Sequence, residues 1–214
     1  DYTGMGDSNG DKKKFDNICD DIKAATDAFL NAQPHLKKVA IWGLCDAASA
    51  ALIYAHQDER INGLVLLNPW LRSEQAMGKT MVKYYYLQRL LSKSFWKKLL
   101  TGKVNIAKSA SDAKGFVKDS VVTDTQASTS YQARMLSGLQ AFNGKVCLIL
   151  SGEDLTAREF DEQTCKNKAW QALRDSDNQI HRLAGADHTF SSTTYKRDVE
   201  RETINFIEQL NNIS

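Results

Sequence analysis

The chain has 214 residues, of which 42% are apolar and 25% are charged, a composition typical of a globular domain with a buried core and not of a disordered chain. Its formal net charge of +2 is too small to indicate nucleic acid as a partner. No run approaches the roughly 20 apolar residues that span a bilayer, and the four cysteines are too widely spaced for a disulfide framework. We therefore expect a cytoplasmic protein without an integral membrane segment.

Short apolar runs alternate with helical patterns along the chain. The patterns predict strands at 39–42, 64–67, 146–150 and 180–183, and helices at 16–31, 46–56, about 157–174 and about 193–211. Such alternation favours βαβ units. We therefore predict an α/β fold with a doubly wound, mostly parallel sheet, whose ligand site lies at the carboxyl ends of the strands.

Residues 70–142 interrupt this alternation. No strand pattern occurs there, and aromatic, leucine and lysine residues recur at helical spacing, most clearly in residues 84–100. We predict a helical cap or lid insertion at 70–142, within a core formed by 1–69 and 143–214. Contact with an anionic membrane surface is the alternative role of the amphipathic segment.

The most informative segment is Gly43-Leu44-Cys45-Asp46-Ala47, which joins a hydrophobic strand directly to an alanine-rich helix. This pattern is typical of a nucleophile elbow, in which small residues two before and two after the nucleophile let strand and helix approach closely. We predict that Cys45 is the nucleophile and that the backbone N–H of Asp46 is an oxyanion donor. The N-terminus of the helix is expected to lower the pKa of the thiol.

Two further residues complete a triad in the chain order that accompanies such an elbow. Asp154 follows the strand at 146–150, and His188 lies in the loop after the last strand. We expect Asp154 to orient His188, which then deprotonates Cys45. Glu153 is the alternative acid, and Asp187 is expected to hydrogen-bond within the loop. Chemistry of this kind needs no metal and no cofactor, and no sequence pattern for either is present.

The opening segment DYTGMGDSNG resembles the segment that follows the fourth strand of many α/β-hydrolases. We therefore expect the first strands of that fold, together with the second oxyanion donor, to precede the first residue of this chain. The segments WGLCDAASAALIYA, LVLLNPWLRSE, YYYLQRLLSKSFWKKLLTGK and LSGEDLTAREF resemble the exosortase A system-associated hydrolase 1 family. The resemblance implies a bacterial α/β-hydrolase with a cysteine at the elbow, encoded beside the machinery that sorts PEP-CTERM proteins.

Together these patterns predict a cysteine hydrolase that acts on an ester or thioester through an acyl-enzyme. The substrate class expected is a small-molecule or lipid-like acyl compound. The sequence does not distinguish hydrolysis from acyl transfer to another acceptor. A non-catalytic partner of the exosortase system, which docks through residues 70–142, is the second hypothesis.

Overall fold

The computed structural model describes residues 1–71, 130–175 and 177–211. The chain divides into two compact units, one formed by residues 1–71 and 128–214 and the other by residues 72–127. The second unit lies outside the described residues, as does most of the predicted cap, including its amphipathic segment at 84–100. Within the described part of the chain, no helix is both long and apolar enough to cross a bilayer.

Four parallel strands form the sheet of the first unit. In sequence order they are β1 (Val39–Leu44), β2 (Ile61–Leu67), β3 (Lys145–Ser151) and β4 (Gln179–Leu183), and they lie side by side in the same order. All four predicted strands are present, each slightly longer than predicted. Because every strand runs in the same direction, the loops that follow them meet at one edge of the sheet.

Both faces of the sheet are covered, which confirms the doubly wound class. Side chains alternate between faces along β2 and β3, so Leu64, Leu66, Val146 and Leu148 belong to one apolar cluster, whereas Val65, Leu67, Cys147 and Ile149 belong to the other.

Five α-helices accompany the sheet in the described residues: α1 (Cys19–Ala32), α2 (Asp46–Tyr54), α3 (Tyr131–Ala141), α4 (Leu155–Thr164) and α5 (Thr193–Asn211). Helix α2 lies almost wholly in the first cluster, and α3 packs against it so closely that a Cβ on Gly138 would overlap the carbonyl oxygen of Leu52. Helix α5 covers the opposite face with Phe206 and Leu210.

The predicted helix at 157–174 is wrong in one respect, because two helical elements occupy this stretch. Helix α4 ends at Thr164, and a separate 3₁₀ helix spans Lys168–Arg174. Between them the side-chain oxygen of Asn167 accepts a hydrogen bond from the backbone N–H of Ala169 at 3.0 Å. Asparagine offers the backbone this local alternative to a continuous helix. Helix α3 was not predicted as a separate element, and its residues fall within the segment 70–142 that was predicted as a helical insertion.

Candidate active site

Cys45 lies at the turn between β1 and α2, with φ 59° and ψ −118°. A non-glycine residue rarely adopts this backbone conformation, which stores strain of about 1–3 kcal/mol. Three backbone hydrogen bonds hold it there. The N–H of Cys45 donates to the Leu67 carbonyl at 2.8 Å, and its carbonyl accepts from the N–H groups of Ser49 and Trp70, both at 3.2 Å. The chain therefore turns sharply from strand to helix at the cysteine.

Gly43 allows strand and helix to meet at this turn. A Cβ on Gly43 would lie 2.8 Å from backbone atoms of Ala47 and Ala48, closer than ordinary packing permits. The neighbouring Asp46 is exposed, and its carboxylate accepts a hydrogen bond from the Ala47 N–H at 2.9 Å. The first turn of α2 is thus fixed directly beside the cysteine.

Burial raises the pKa of the half-buried Cys45 thiol. The N–H of Asp46 hydrogen-bonds the sulfur and opposes this rise, but the negative charges of Asp46 and Asp154 add to it. The net effect is a raised pKa of the Cys45 thiol. The prediction that the N-terminus of the helix lowers this pKa is therefore wrong for the net shift. Because a raised thiol pKa leaves the sulfur protonated at neutral pH, the sulfur needs a base to accept its proton if it is to attack.

His188 and Asp154 are in direct contact. The Nδ1–H of His188 donates to Oδ2 of Asp154 at 2.9 Å, and Asp154 is only 8% exposed. The same oxygen accepts the N–H of Ala157 at 3.0 Å, which makes Asp154 the N-cap of α4. Glu153, by contrast, is largely exposed and faces Arg158 at 3.9 Å. Of the two candidate acids, Asp154 is the one that contacts the imidazole.

The loop that carries His188 is anchored on both sides of the histidine. Asp187 accepts hydrogen bonds from the N–H groups of Thr189 and Ser191 at 3.2 and 2.9 Å, and also from the Ser191 hydroxyl. This is the role expected for Asp187. Phe190 is buried in the second apolar cluster and has φ 53°. The loop therefore combines a polar anchor, an apolar anchor and a strained backbone.

Sequence reasoning missed a buried polar pair at the same edge, Asn68 and Ser151. The Asn68 side-chain amide donates to the Ser151 hydroxyl at 2.6 Å and to the His188 carbonyl at 2.9 Å, and its oxygen accepts the Ser151 N–H at 2.8 Å. The Ser151 hydroxyl donates in turn to the Asp187 carbonyl at 2.8 Å. The available signal was a polar residue at the carboxyl end of each of two apolar strands.

The structure places Cys45, Asp154 and His188 at the carboxyl ends of β1, β3 and β4, respectively. His188 and Asp154 touch, and the charge of Asp154 adds, after burial and the charge of Asp46, to the raised pKa of the Cys45 thiol. The segment after β2 connects the backbones of Cys45 and His188. The Trp70 N–H donates to the Cys45 carbonyl, and the Asn68 amide donates to the His188 carbonyl. A thiol, an imidazole and a buried carboxylate at one edge can perform acyl transfer.

No group of three His, Cys, Asp or Glu side chains that could hold a metal ion occurs within 1–71, 130–175 and 177–211.

Comparison with known proteins gives a family and a fold. The family model described as serine aminopeptidase, S33 matches residues 1–190, while no curated protein matches the sequence. Among solved structures, an esterase of Pyrococcus furiosus is 14% identical with a TM-score of 0.60, over 98% of this chain and 68% of that one. A putative α/β hydrolase of Agrobacterium tumefaciens is 13% identical with a TM-score of 0.54, over 99% and 69% of the two chains. A structure from work on carboxylesterases of Nitrososphaera gargenis is 16% identical with a TM-score of 0.56, over 98% and 76%.

Proposed function

The chain belongs to the family described as serine aminopeptidase, S33, and on that premise we propose that it is an α/β-hydrolase that cleaves an ester or thioester with Cys45 as the nucleophile. The observation that carries the proposal is the 2.9 Å hydrogen bond between His188 and the buried Asp154, at the sheet edge where the backbone is strained at Cys45. The Pyrococcus furiosus and Nitrososphaera gargenis proteins of the same fold are described as esterases, which supports this choice of substrate class.

In the proposed reaction, Nε2 of His188 takes the proton from the sulfur of Cys45 as the sulfur attacks the acyl carbon. The carbonyl oxygen becomes an oxyanion, which the N–H of Asp46 stabilises. The tetrahedral species collapses, the alcohol or thiol leaves with the proton from His188, and an acyl-thioester remains on Cys45. His188 then deprotonates a water molecule, whose attack releases the carboxylic acid and restores the thiol.

Asp154 has two roles in this scheme. It accepts the Nδ1–H of His188, which leaves Nε2 unprotonated and able to act as the base, and its charge stabilises the imidazolium that forms. The raised pKa of the Cys45 thiol favours proton transfer during attack over a preformed thiolate. Acylation should therefore depend on His188 as the base.

The test is acylation of the full-length protein by p-nitrophenyl acetate and by acetyl-CoA. We expect release of p-nitrophenol or CoA, an acetyl adduct on Cys45 in peptide mass spectra, and a loss of turnover of about 10³-fold or more in Cys45→Ala. Cys165→Ala is the matched control, because Cys165 is also half-buried and lies at the far end of α4. An adduct on Cys165 but not on Cys45, or full turnover in Cys45→Ala, would contradict the proposal.

A non-catalytic partner of the exosortase system is the second candidate. The observation that favours it is the raised pKa of the Cys45 thiol, because a less ionised sulfur is a weaker nucleophile at neutral pH. This candidate predicts no acylation of wild-type protein, together with a partner that is captured equally well by Cys45→Ala. We propose the association with exosortase and with the sorting of PEP-CTERM proteins on the sequence resemblance, and a cytoplasmic location on the four widely spaced cysteines. Adding amine or sugar acceptors to the acylation assay separates acyl transfer from hydrolysis.

A further inference from the structure

We propose that Asn68 is a positioning residue that sets the place of His188 relative to Cys45, an inference that rests on the proposed function of this site. Asn68 follows the last residue of β2, has φ 44° and is fully buried. It touches neither the sulfur nor the reacting imidazole atoms in the contacts described above. Its action is exerted through the backbone of the loop that carries the base.

The hydrogen bonds of Asn68 engage both donors and the oxygen of its side-chain amide. A primary amide has two N–H donors and one carbonyl acceptor, and here the donors reach the Ser151 hydroxyl and the His188 carbonyl while the oxygen accepts the Ser151 N–H. Aspartate has the same shape but, when ionised, no donor. The donors to the Ser151 hydroxyl and to the His188 carbonyl would then be lost, and a buried charge would face the His188 carbonyl.

Ser151 connects Asn68 to a second backbone carbonyl of the loop that carries His188. Its hydroxyl receives a hydrogen bond from Asn68 and donates to the carbonyl of Asp187. Two successive carbonyls of the catalytic loop, those of Asp187 and His188, are therefore bound by one connected pair of side chains. Buried polar networks in which every group has a partner are rigid.

The same short segment also holds the nucleophile. The N–H of Trp70, two residues after Asn68, donates to the carbonyl of Cys45, and Ser49 of α2 donates its hydroxyl to the carbonyl of Trp70 at 2.8 Å. Residues 68–70 thus bind the backbone of both the proposed nucleophile and the proposed base. Since a displacement of about 1 Å in a reacting group can lower a rate by about 100-fold, this segment is placed to control the rate.

The experiment compares Asn68→Asp and Ser151→Ala with Asn178→Asp in the full-length protein. Asn178 is the matched control, because it makes the same kind of bridge at the opposite end of the sheet. Its oxygen accepts the Val146 N–H at 2.6 Å, and its amide donates to the Ala172 carbonyl at 2.7 Å. For each variant, kcat and KM with p-nitrophenyl acetate are measured against pH, and the thermal midpoint is measured in parallel.

We expect Asn68→Asp to lower kcat by about 100-fold at alkaline pH, with KM changed less than about threefold. The deficit relative to wild type should shrink as the pH falls, because burial raises the pKa of the new carboxyl group and its protonated form regains one donor. Ser151→Ala should lower kcat by about tenfold, since only the Asp187 carbonyl loses its donor. Asn178→Asp should lower the thermal midpoint and leave kcat within about twofold.

A folded Asn68→Asp with wild-type kcat would overturn the proposal, as would a loss of kcat that is independent of pH and equal to that of Asn178→Asp. If Asn68→Asp does not fold, Ser151→Ala carries the test, and wild-type kcat in that variant would overturn the proposal. If wild-type protein is not acylated at all, the proposed function fails. NMR then tests whether Asn68 and Ser151 set the position of His188. The downfield Nδ1–H signal of His188 should then shift in Ser151→Ala, and an unchanged signal would overturn the claim.

Discussion

The two ends of the sheet are built differently. At the carboxyl end lie three non-glycine residues with positive φ, Cys45, Asn68 and Phe190, and the described part of the chain contains no others. At the amino end no described non-glycine residue has a positive φ, although the register of β1 and β2 shifts between Val39 and Ala40. Charged side chains make the links there, with Arg60 bound to Asp58 at 2.6 Å and to Asp27 at 2.7 Å. Each strained residue costs about 1–3 kcal/mol, whereas a surface ion pair gives about 0–1 kcal/mol.

The difference shows where the fold accepts strain. Strain persists only where the surroundings hold it, and it is typical of sites that bind or react. Matched substitutions at the two ends should therefore separate rate from stability. Changes at the carboxyl end should act mainly on turnover, and changes at the amino end mainly on the free energy of unfolding.

The largest contrast should come from two histidines. His188→Ala removes the proposed base, and we expect kcat for p-nitrophenyl acetate to fall by about 10⁴-fold. His181→Ala is the control, because His181 lies within β4, interacts with Glu202 at 3.5 Å and has a similarly half-buried side chain. Its kcat should match wild type. Equal losses in the two variants would show that the contrast between the sheet ends is wrong.

Two glycines provide the next contrast. Gly43→Ala places a Cβ against the backbone of α2, which cannot move without displacing Cys45. We expect the free energy of unfolding, measured in urea, to fall by about 2–3 kcal/mol, and kcat to be lower as well. Gly63→Ala meets the side chains of Leu210 and Phe206 instead. Since side chains adjust more readily than backbone, Gly63→Ala should lower the free energy of unfolding by less than Gly43→Ala does and should leave kcat unchanged. A Gly63→Ala variant with the greater loss of turnover would contradict this interpretation.

A charge at the amino end should have a smaller effect, confined to stability. Asp58 binds Arg60 and accepts the hydroxyl of Tyr54 at 2.6 Å, and these partners hold the pKa of its carboxyl well below the ordinary range. Asp58→Asn should lower the free energy of unfolding by about 1 kcal/mol and leave kcat unchanged. Chemical denaturation in low and high salt measures the first quantity, and a loss that does not shrink in high salt would argue against an ionic origin.

The smallest effect should be an acid-dependent one near the start of the chain. Hydrogen bonds from Thr3 and Lys13 lower the pKa of Asp21 to about 2, below an unfolded value of about 4. A lowered pKa stabilises the folded state above the unfolded pKa, and this contribution is lost as the pH falls through about 2. Asp21→Asn should therefore flatten the acid branch of the stability curve. Parallel acid branches in the two proteins would contradict this expectation.

The strands and the Asp154–His188 contact were predictable because both follow from local pattern. Apolar runs identify strands, and the carboxyl ends of parallel strands converge, so residues placed directly after them meet. Asn68 and Ser151 were not predictable, since two ordinary polar residues 83 positions apart pair only because β2 and β3 are neighbours. The raised pKa of Cys45 depends on burial by distant residues, which the elbow pattern does not encode.

The single Asp154 oxygen that binds both the imidazole and the first turn of α4 has an evolutionary consequence. A lineage that abandoned the proposed reaction would still be selected to keep a cap at this position, because loss of the cap would destabilise the helix. Asparagine caps a helix as well as aspartate does, yet it carries no charge to balance an imidazolium. Among descendants of this protein, a change from aspartate to asparagine here would therefore mark the loss of the proposed reaction in a fold that is still maintained.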